Sequence, residues 1–198
     1  APVALQCSGV IMGFVDTGFF YGEDVLSRDD GSTRILSIWD QTIQTGEPPE
    51  GFLYGTEYRR EDIDRALAAS EPESVVPSTD SKGHGTKMAS AAAGSLLNQG
   101  LTFRGAAPLA DIAVVKLKEA KAYLREYYLI DDSAVAYQEN DIMEAVKYLQ
   151  QMAVAFSRPV VIVIGLGTNM GSHDGTSALD TYLNIVAGRR SRAVVVGG

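Results

Sequence analysis

The sequence predicts an α/β domain in three layers, a mostly parallel sheet with helices on both faces. Three observations carry that prediction. Val10–Val15, Asp111–Leu117, Val160–Ile164 and Ala193–Val196 are short apolar runs, the pattern of strands buried on both faces. Segments with apolar residues at helical spacing separate them. The 198 residues, 45% hydrophobic and 21% charged, are enough for one domain with a sizeable core. One domain over residues 1–198 is therefore expected, with an insert at about 19–79.

In chain order, Val10–Val15 delivers Asp16 at the end of a buried strand, followed by Thr17 and Gly18. In open α/β sheets functional groups collect at that edge, although Asp-Thr-Gly also makes a turn. Asp29-Asp30-Gly31 signals a turn before a strand over Thr33–Trp39. Gly46–Gly55 and Ser70–Thr79 read as loops, and Ile63, Ala66 and Leu67 mark a short helix over Glu61–Ala69. This part has no core pattern of its own and reads as an elaboration over one end of the sheet. Met88, Ala92 and Leu96, with Ala89 and Ala93, give helical spacing after Thr86. Leu101–Leu109 is a loop ahead of the Asp111–Leu117 strand, and Glu119–Ala136 has no assignable pattern. Ile142, Val146, Leu149, Ala153 and Phe156 form the clearest helical stripe, with Asp141 and Glu144 as a capping pair and Pro159 as the stop. A glycine-rich loop from Gly165 to Gly175 leads to a helix over Ser177–Ala187 and the last strand.

Composition removes several function classes. A net charge of −8 disfavours nucleic acid as a partner, since phosphate binding needs a basic face. No apolar run approaches the roughly 18 residues of a membrane span. No charged segment followed by an apolar core marks a signal peptide. The single Cys7 rules out an internal disulfide. Cys7, His84 and His173 are too few for a Cys/His zinc site, and no carboxylate spacing commits to calcium, so neither metal nor cofactor is expected. A nucleotide site lacks its Gly-x-Gly-x-x-Gly cradle after the first strand.

The chemistry gathers around two residues. Gly83 and Gly85 flank His84, allowing a sharp turn and close approach of another chain segment. The imidazole thus stands at a helix start. A polar turn that happens to contain histidine is the plain alternative. If Asp16 and His84 meet at one sheet edge, the carboxylate fixes the imidazole tautomer and stabilises the imidazolium. The helix N-terminus opposes that cation by ~0.3–1 kcal/mol. A carboxylate in hydrogen-bonding reach favours it by about 1–4 kcal/mol. The carboxylate wins, leaving a base able to work at neutral pH.

Three motifs in order resemble the subtilisin-like serine proteases: Val15-Asp16-Thr17-Gly18, Gly83-His84-Gly85-Thr86, and Gly105-Ala106-Ala107-Pro108 leading into Ala113–Lys116. Ile164-Gly165-Leu166-Gly167 resembles the segment that pairs with substrate, and Val194–Gly198 the strand before the oxyanion-hole asparagine. The segment between Asp16 and His84, with Asp30–Ile35 and Ile38–Thr42, resembles most the bacterial subtilases of the clostridial spore-germination type. The resemblance implies a serine endopeptidase acting on a peptide or protein, with Asp16 orienting and His84 serving as general base and then acid. It implies substrate pairing at Gly165, Leu166 and Gly167, which suits β-augmentation along a glycine-rich strand end. It also implies an extracellular, cell-surface or spore-associated bacterial setting.

The nucleophile is the departure. The family's Gly-Thr-Ser-Met-Ala motif follows the last strand seen here, so the expectation is a C-terminally incomplete domain, inactive alone, whose serine comes from the remainder of the catalytic domain. Gly175-Thr176-Ser177-Ala178 mimics that motif, but it falls where the family starts a helix, and Asp174, Thr176 and Ser177 are capping residues. His173 reads as a loop hydrogen-bonder. A catalytically inactive, peptide-binding or regulatory relative is the alternative function.

Overall fold

The computed structural model describes residues 6–96, 103–167 and 174–197. Six strands form one sheet: β1 (Ile11–Asp16), β2 (Ile35–Asp40), β3 (Thr56–Arg59), β4 (Asp111–Lys116), β5 (Val160–Ile164) and β6 (Arg192–Val196). Their order is β3-β2-β4-β1-β5-β6. β3 runs antiparallel to β2, and the other pairings are parallel. The helices are α1 (Arg60–Leu67), α2 (His84–Ala93), α3 (Ala122–Tyr127), α4 (Glu139–Ala155) and α5 (Ala178–Ala187). The three-layer, mostly parallel α/β architecture expected from the sequence is the observed one.

Because successive strand side chains point to opposite faces, β1 feeds two cores. Ile11 and Val15 join Val115, Ile162 and Ile164 under Val146, Leu149 and Ala153 of α4 and Leu183 and Val186 of α5. Met12 and Phe14 join Ile38, Ile112 and Val114 against Ile63 and Ala66 of α1 and Ala89 and Ala93 of α2. The alanine-rich face of α2 is what lets its N-terminus come close to the sheet edge.

Several expectations need correction. The α2 stripe is shorter than its spacing suggested: the helix ends at Ala93, so Leu96 lies beyond it, and Ala89 and Ala93 carry the burial. Phe156 caps the C-terminus of α4 and is exposed rather than lying on its buried stripe. Asp141 and Glu144 do not cap α4; its N-cap is Gln138, without a side-chain bond. Asp141 is instead buried, accepting the Tyr54 hydroxyl at 2.9 Å and pairing with Lys118. The segment read as covering one end of the sheet also widens it, through β2 and β3. Trp39 of β2 packs against Phe52 at 4.5 Å and Tyr148 of α4 at 5.4 Å between ring centres. The unassigned Glu119–Ala136 stretch contains α3.

At the edge where the parallel strands begin, Arg28, Arg60 and Arg158 converge on Asp111. Arg158 also donates to the carbonyls of Gly9 and Val10, tying down the lead-in to β1. At the other edge, where the parallel strands end, Asp16 and Lys116 lie side by side.

Leu149 is fully buried and lies over Gly13 of β1. Leu149→Ala removes that contact and leaves a cavity, so it lowers unfolding free energy by about 2–5 kcal/mol in urea denaturation.

Candidate active site

Strand register places three residues side by side at the C-terminal edge. Asp16 lies beside Lys116 of β4, and Val15 pairs with Ile164 of β5, so Gly165 comes next to Asp16. Asp16 is 1% exposed. Its Oδ1 accepts the Thr17 N–H at 2.7 Å and lies 2.7 Å from His84 Nδ1. A carboxylate only accepts, so Nδ1 carries a proton, and in the neutral imidazole Nε2 keeps its lone pair. The imidazole is half exposed, 47% against 2% for the Asp16 side chain. One nitrogen is held against Asp16, and much of the rest of the ring is exposed.

Two glycines make this geometry possible. A Cβ on Gly85 would stand 2.2 Å from the Gly18 carbonyl oxygen and 2.9 Å from Asp16 Cβ. A Cβ on Gly165 would stand 1.9 Å from Asp16 Oδ2 and 3.4 Å from His84 Cε1. Gly165 therefore touches the dyad itself. Leu166 follows it half-buried against the α4 core, and Gly167 is exposed. Thr168, His173 and Gly198 lie outside the described residues.

Ser177 is placed as an N-cap. Its oxygen accepts the Asp180 N–H at 3.1 Å, and its hydroxyl donates to Asp180 Oδ2 at 2.8 Å. Asp174 holds Thr176 through its N–H and hydroxyl. The resemblance of this segment to a nucleophile motif has a local explanation in capping.

Beside the dyad opens a cavity of about 460 Å³, whose walls include Thr17, Gln41, Lys82, Lys118, Glu119 and Tyr137. Lys116, one of its lining residues, borders a buried polar pair. Asp40 accepts from Ser78 at 2.6 Å and lies 3.4 Å from Lys116 Nζ. Tyr137 escaped the sequence reading because it lies just past the unassigned 119–136 stretch, outside any recognisable pattern. Burial, reinforced by the charges of Glu119, Asp16 and Asp80, pushes its phenol up to about 12. Among the described residues no group of three or more His, Cys, Asp or Glu gathers as a metal cluster. No helix among them is long and apolar enough to cross a membrane.

An Asp–His pair at the carboxyl edge of a parallel sheet, with the imidazole opening the next helix on that face, marks a serine-protease fold of the subtilisin class. The chain belongs to the subtilase family (Peptidase_S8), which it matches over residues 8–157. It is similar to the structure of the Clostridium perfringens CspB protease, at 28% identity and a TM-score of 0.78 over 97% of this chain and 36% of that one. The chain thus spans about a third of that protein. Sphericase, at 18% identity and TM-score 0.58 over 96% of this chain and 46% of that one, shares the fold. An S41 psychrophilic protease does so at 22% and 0.53, over 96% and 45%. No curated protein matches the sequence.

Gly165→Ala drives a methyl group into the Asp16 carboxylate. It lowers stability by about 1–3 kcal/mol in urea denaturation, through strain rather than lost contacts. Tyr137 gives a pH prediction. Its phenol ionises from about 10 when unfolded and about 12 when folded, so its contribution is intact below pH 10 and is lost as pH rises towards 12. Tyr54 and Tyr148, raised chiefly by burial, act in the same direction. Tyr137→Phe accordingly shrinks the drop in urea midpoint between pH 7 and pH 11.

Proposed function

We propose that the chain is the dyad-bearing part of a subtilase endopeptidase, with Asp16 as the orienting acid and His84 as the base. The observation that carries this is the 2.7 Å contact between His84 Nδ1 and Asp16 Oδ1, with the rest of the imidazole open to solvent. A serine hydroxyl would give its proton to His84 Nε2 as its oxygen attacks the substrate carbonyl carbon. The imidazolium, stabilised by Asp16, then protonates the leaving amine, and water repeats the cycle on the acyl-enzyme. Gly165, Leu166 and Gly167, beside the dyad and without bulky side chains at either glycine, suit main-chain pairing with an extended peptide.

The nucleophile in this reading is a serine supplied by the remainder of the catalytic domain. Ser177 is ill suited, because its hydroxyl is committed to Asp180 in both directions. The 198 residues by themselves therefore hold a base and its orienting acid, and are inactive in hydrolysis.

In the intact protein a fluorophosphonate probe labels a serine outside these 198 residues, and Ser177→Ala leaves labelling unchanged. Asp16→Asn lowers kcat on the order of 10³–10⁴-fold, because the tautomer of His84 is no longer fixed. Labelling at Ser177 overturns the assignment. Complete absence of labelling favours the inactive, peptide-binding relative.

A further inference from the structure

α2 begins without a capping side chain of its own. Its N-cap is Gly83, at φ 70°, and no side chain there can accept from the first turn. Helix starts leave N–H groups without intrahelical partners, and a nearby oxygen normally takes them. Here the oxygen comes from four residues before His84. Asp80 Oδ1 accepts the Gly83 N–H at 2.9 Å, and Oδ2 accepts the Thr86 N–H at 3.0 Å.

The same carboxylate takes two hydroxyls. Thr86 Oγ1 donates to Oδ2 at 2.6 Å, and Thr17 Oγ1 donates to Oδ1 at 3.1 Å. Each hydroxyl accepts a backbone N–H in return, Phe20 onto Thr86 at 2.9 Å and Gly85 onto Thr17 at 3.3 Å. Thr17 and Gly85 are the chain neighbours of Asp16 and His84. One carboxylate thus holds both backbone segments that present the dyad. Burial pushes the Asp80 carboxyl up, but the bonds from Thr86, Gly83 and Thr17 outweigh it and hold the group below the usual aspartate range. The charged form is the one the surroundings fit.

We propose that Asp80 is the positioning residue of the site, its carboxylate clamping the end of β1 to the start of α2 so that His84 Nδ1 stays on Asp16. This rests on the Asp16–His84 reading above. The physical requirement is strict, because hydrogen bonds weaken steeply once their angles and distances open. An imidazole that loses its Nδ1 partner reverts to the Nε2–H tautomer that free histidine prefers, and Nε2 is the nitrogen that must be unprotonated to act as a base. An amide at position 80 offers one acceptor and adds two donors, which face hydroxyls and N–H groups that are themselves donating. Asp80→Asn is therefore a sharp substitution that keeps the shape.

Long-range ¹H–¹⁵N correlation of this chain at high pH, where the imidazole is neutral, reads the tautomer from carbon-bound ring protons. With only two histidines in the chain, His173→Gln assigns the spectrum. The wild type shows His84 mainly as the Nδ1–H tautomer, and Asp80→Asn and Thr86→Val shift it towards Nε2–H, while Thr86→Ser, which retains the hydroxyl, restores the wild-type ratio. Circular dichroism and a cooperative urea transition confirm that each variant is folded. Should Asp80→Asn fail to fold, Thr17→Val, which removes one donor to the clamp, gives the same shift by a milder change. An unchanged tautomer in folded Asp80→Asn, or in folded Thr86→Val and Thr17→Val, overturns the clamp. If Asp16→Asn shifts the tautomer and the clamp variants do not, the dyad stands and only the role of Asp80 falls. If Asp16→Asn changes nothing, both fall.

Discussion

A carboxylate at 1% exposure is the constraint on which the rest of the structure depends. Burying an unpaired charge costs several kcal/mol, so Asp16 can stay in place only where donors meet it. Those donors are the Thr17 N–H and the His84 ring, from chain segments 68 residues apart in the second case. Bringing them together demands that a helix start and a strand end approach more closely than side chains allow. Gly85 and Gly165 remove the side chains, and the small face of α2 lets the helix lie low on the sheet. Sequence features that look independent are thus consequences of seating one acid.

The sheet order explains why the seat is at this edge. β1 is central, between β4 and β5, and its register fixes which residues flank Asp16. A slip of one residue would exchange Phe14 and Val15 between the two cores and turn Asp16 away. Packing on both faces therefore protects the site: the apolar alternation of β1 holds the acid at its height, and the opposite edge is pinned by the arginines around Asp111. The carboxyl edge can then carry buried polar pairs, Asp40 with Lys116 and Asp141 with Lys118, without endangering the fold.

How much of this the residues disclose depends on how local each cause is. β1, β4 and β5 were legible because a strand buried on both faces has to be apolar throughout. β3 was not, since Thr56-Glu57-Tyr58-Arg59 is a four-residue edge strand with no apolar run, its polar residues finding tertiary partners such as the Tyr148 hydroxyl on Glu57. α3 is short, has no buried residue and shows no stripe. Asp16 and His84 could be picked out as candidates from strand-end and helix-start position, but their contact is a tertiary fact. Asp141 shows the converse error. An acid in a first turn is read as a cap, yet tertiary partners, Tyr54 and Lys118, claim it.

Asp80 is the instructive case between these. Its distance from Gly83 is local, but its work is defined by Thr17, which arrives from another strand. A glycine N-cap leaves the helix start without an acceptor, and that gap is visible in the sequence. What fills the gap is visible only once β1 is beside α2. The glycine that permits close approach at the helix start therefore also creates the need for an external cap, and the external cap is what can couple the two halves of the site. At φ 70° position 83 strains any side chain placed there, so the helix start takes its acceptor from Asp80, which also holds the strand end through Thr17. On this view the stretch around His84 is organised less to make a good helix than to make its start depend on the strand that carries its partner.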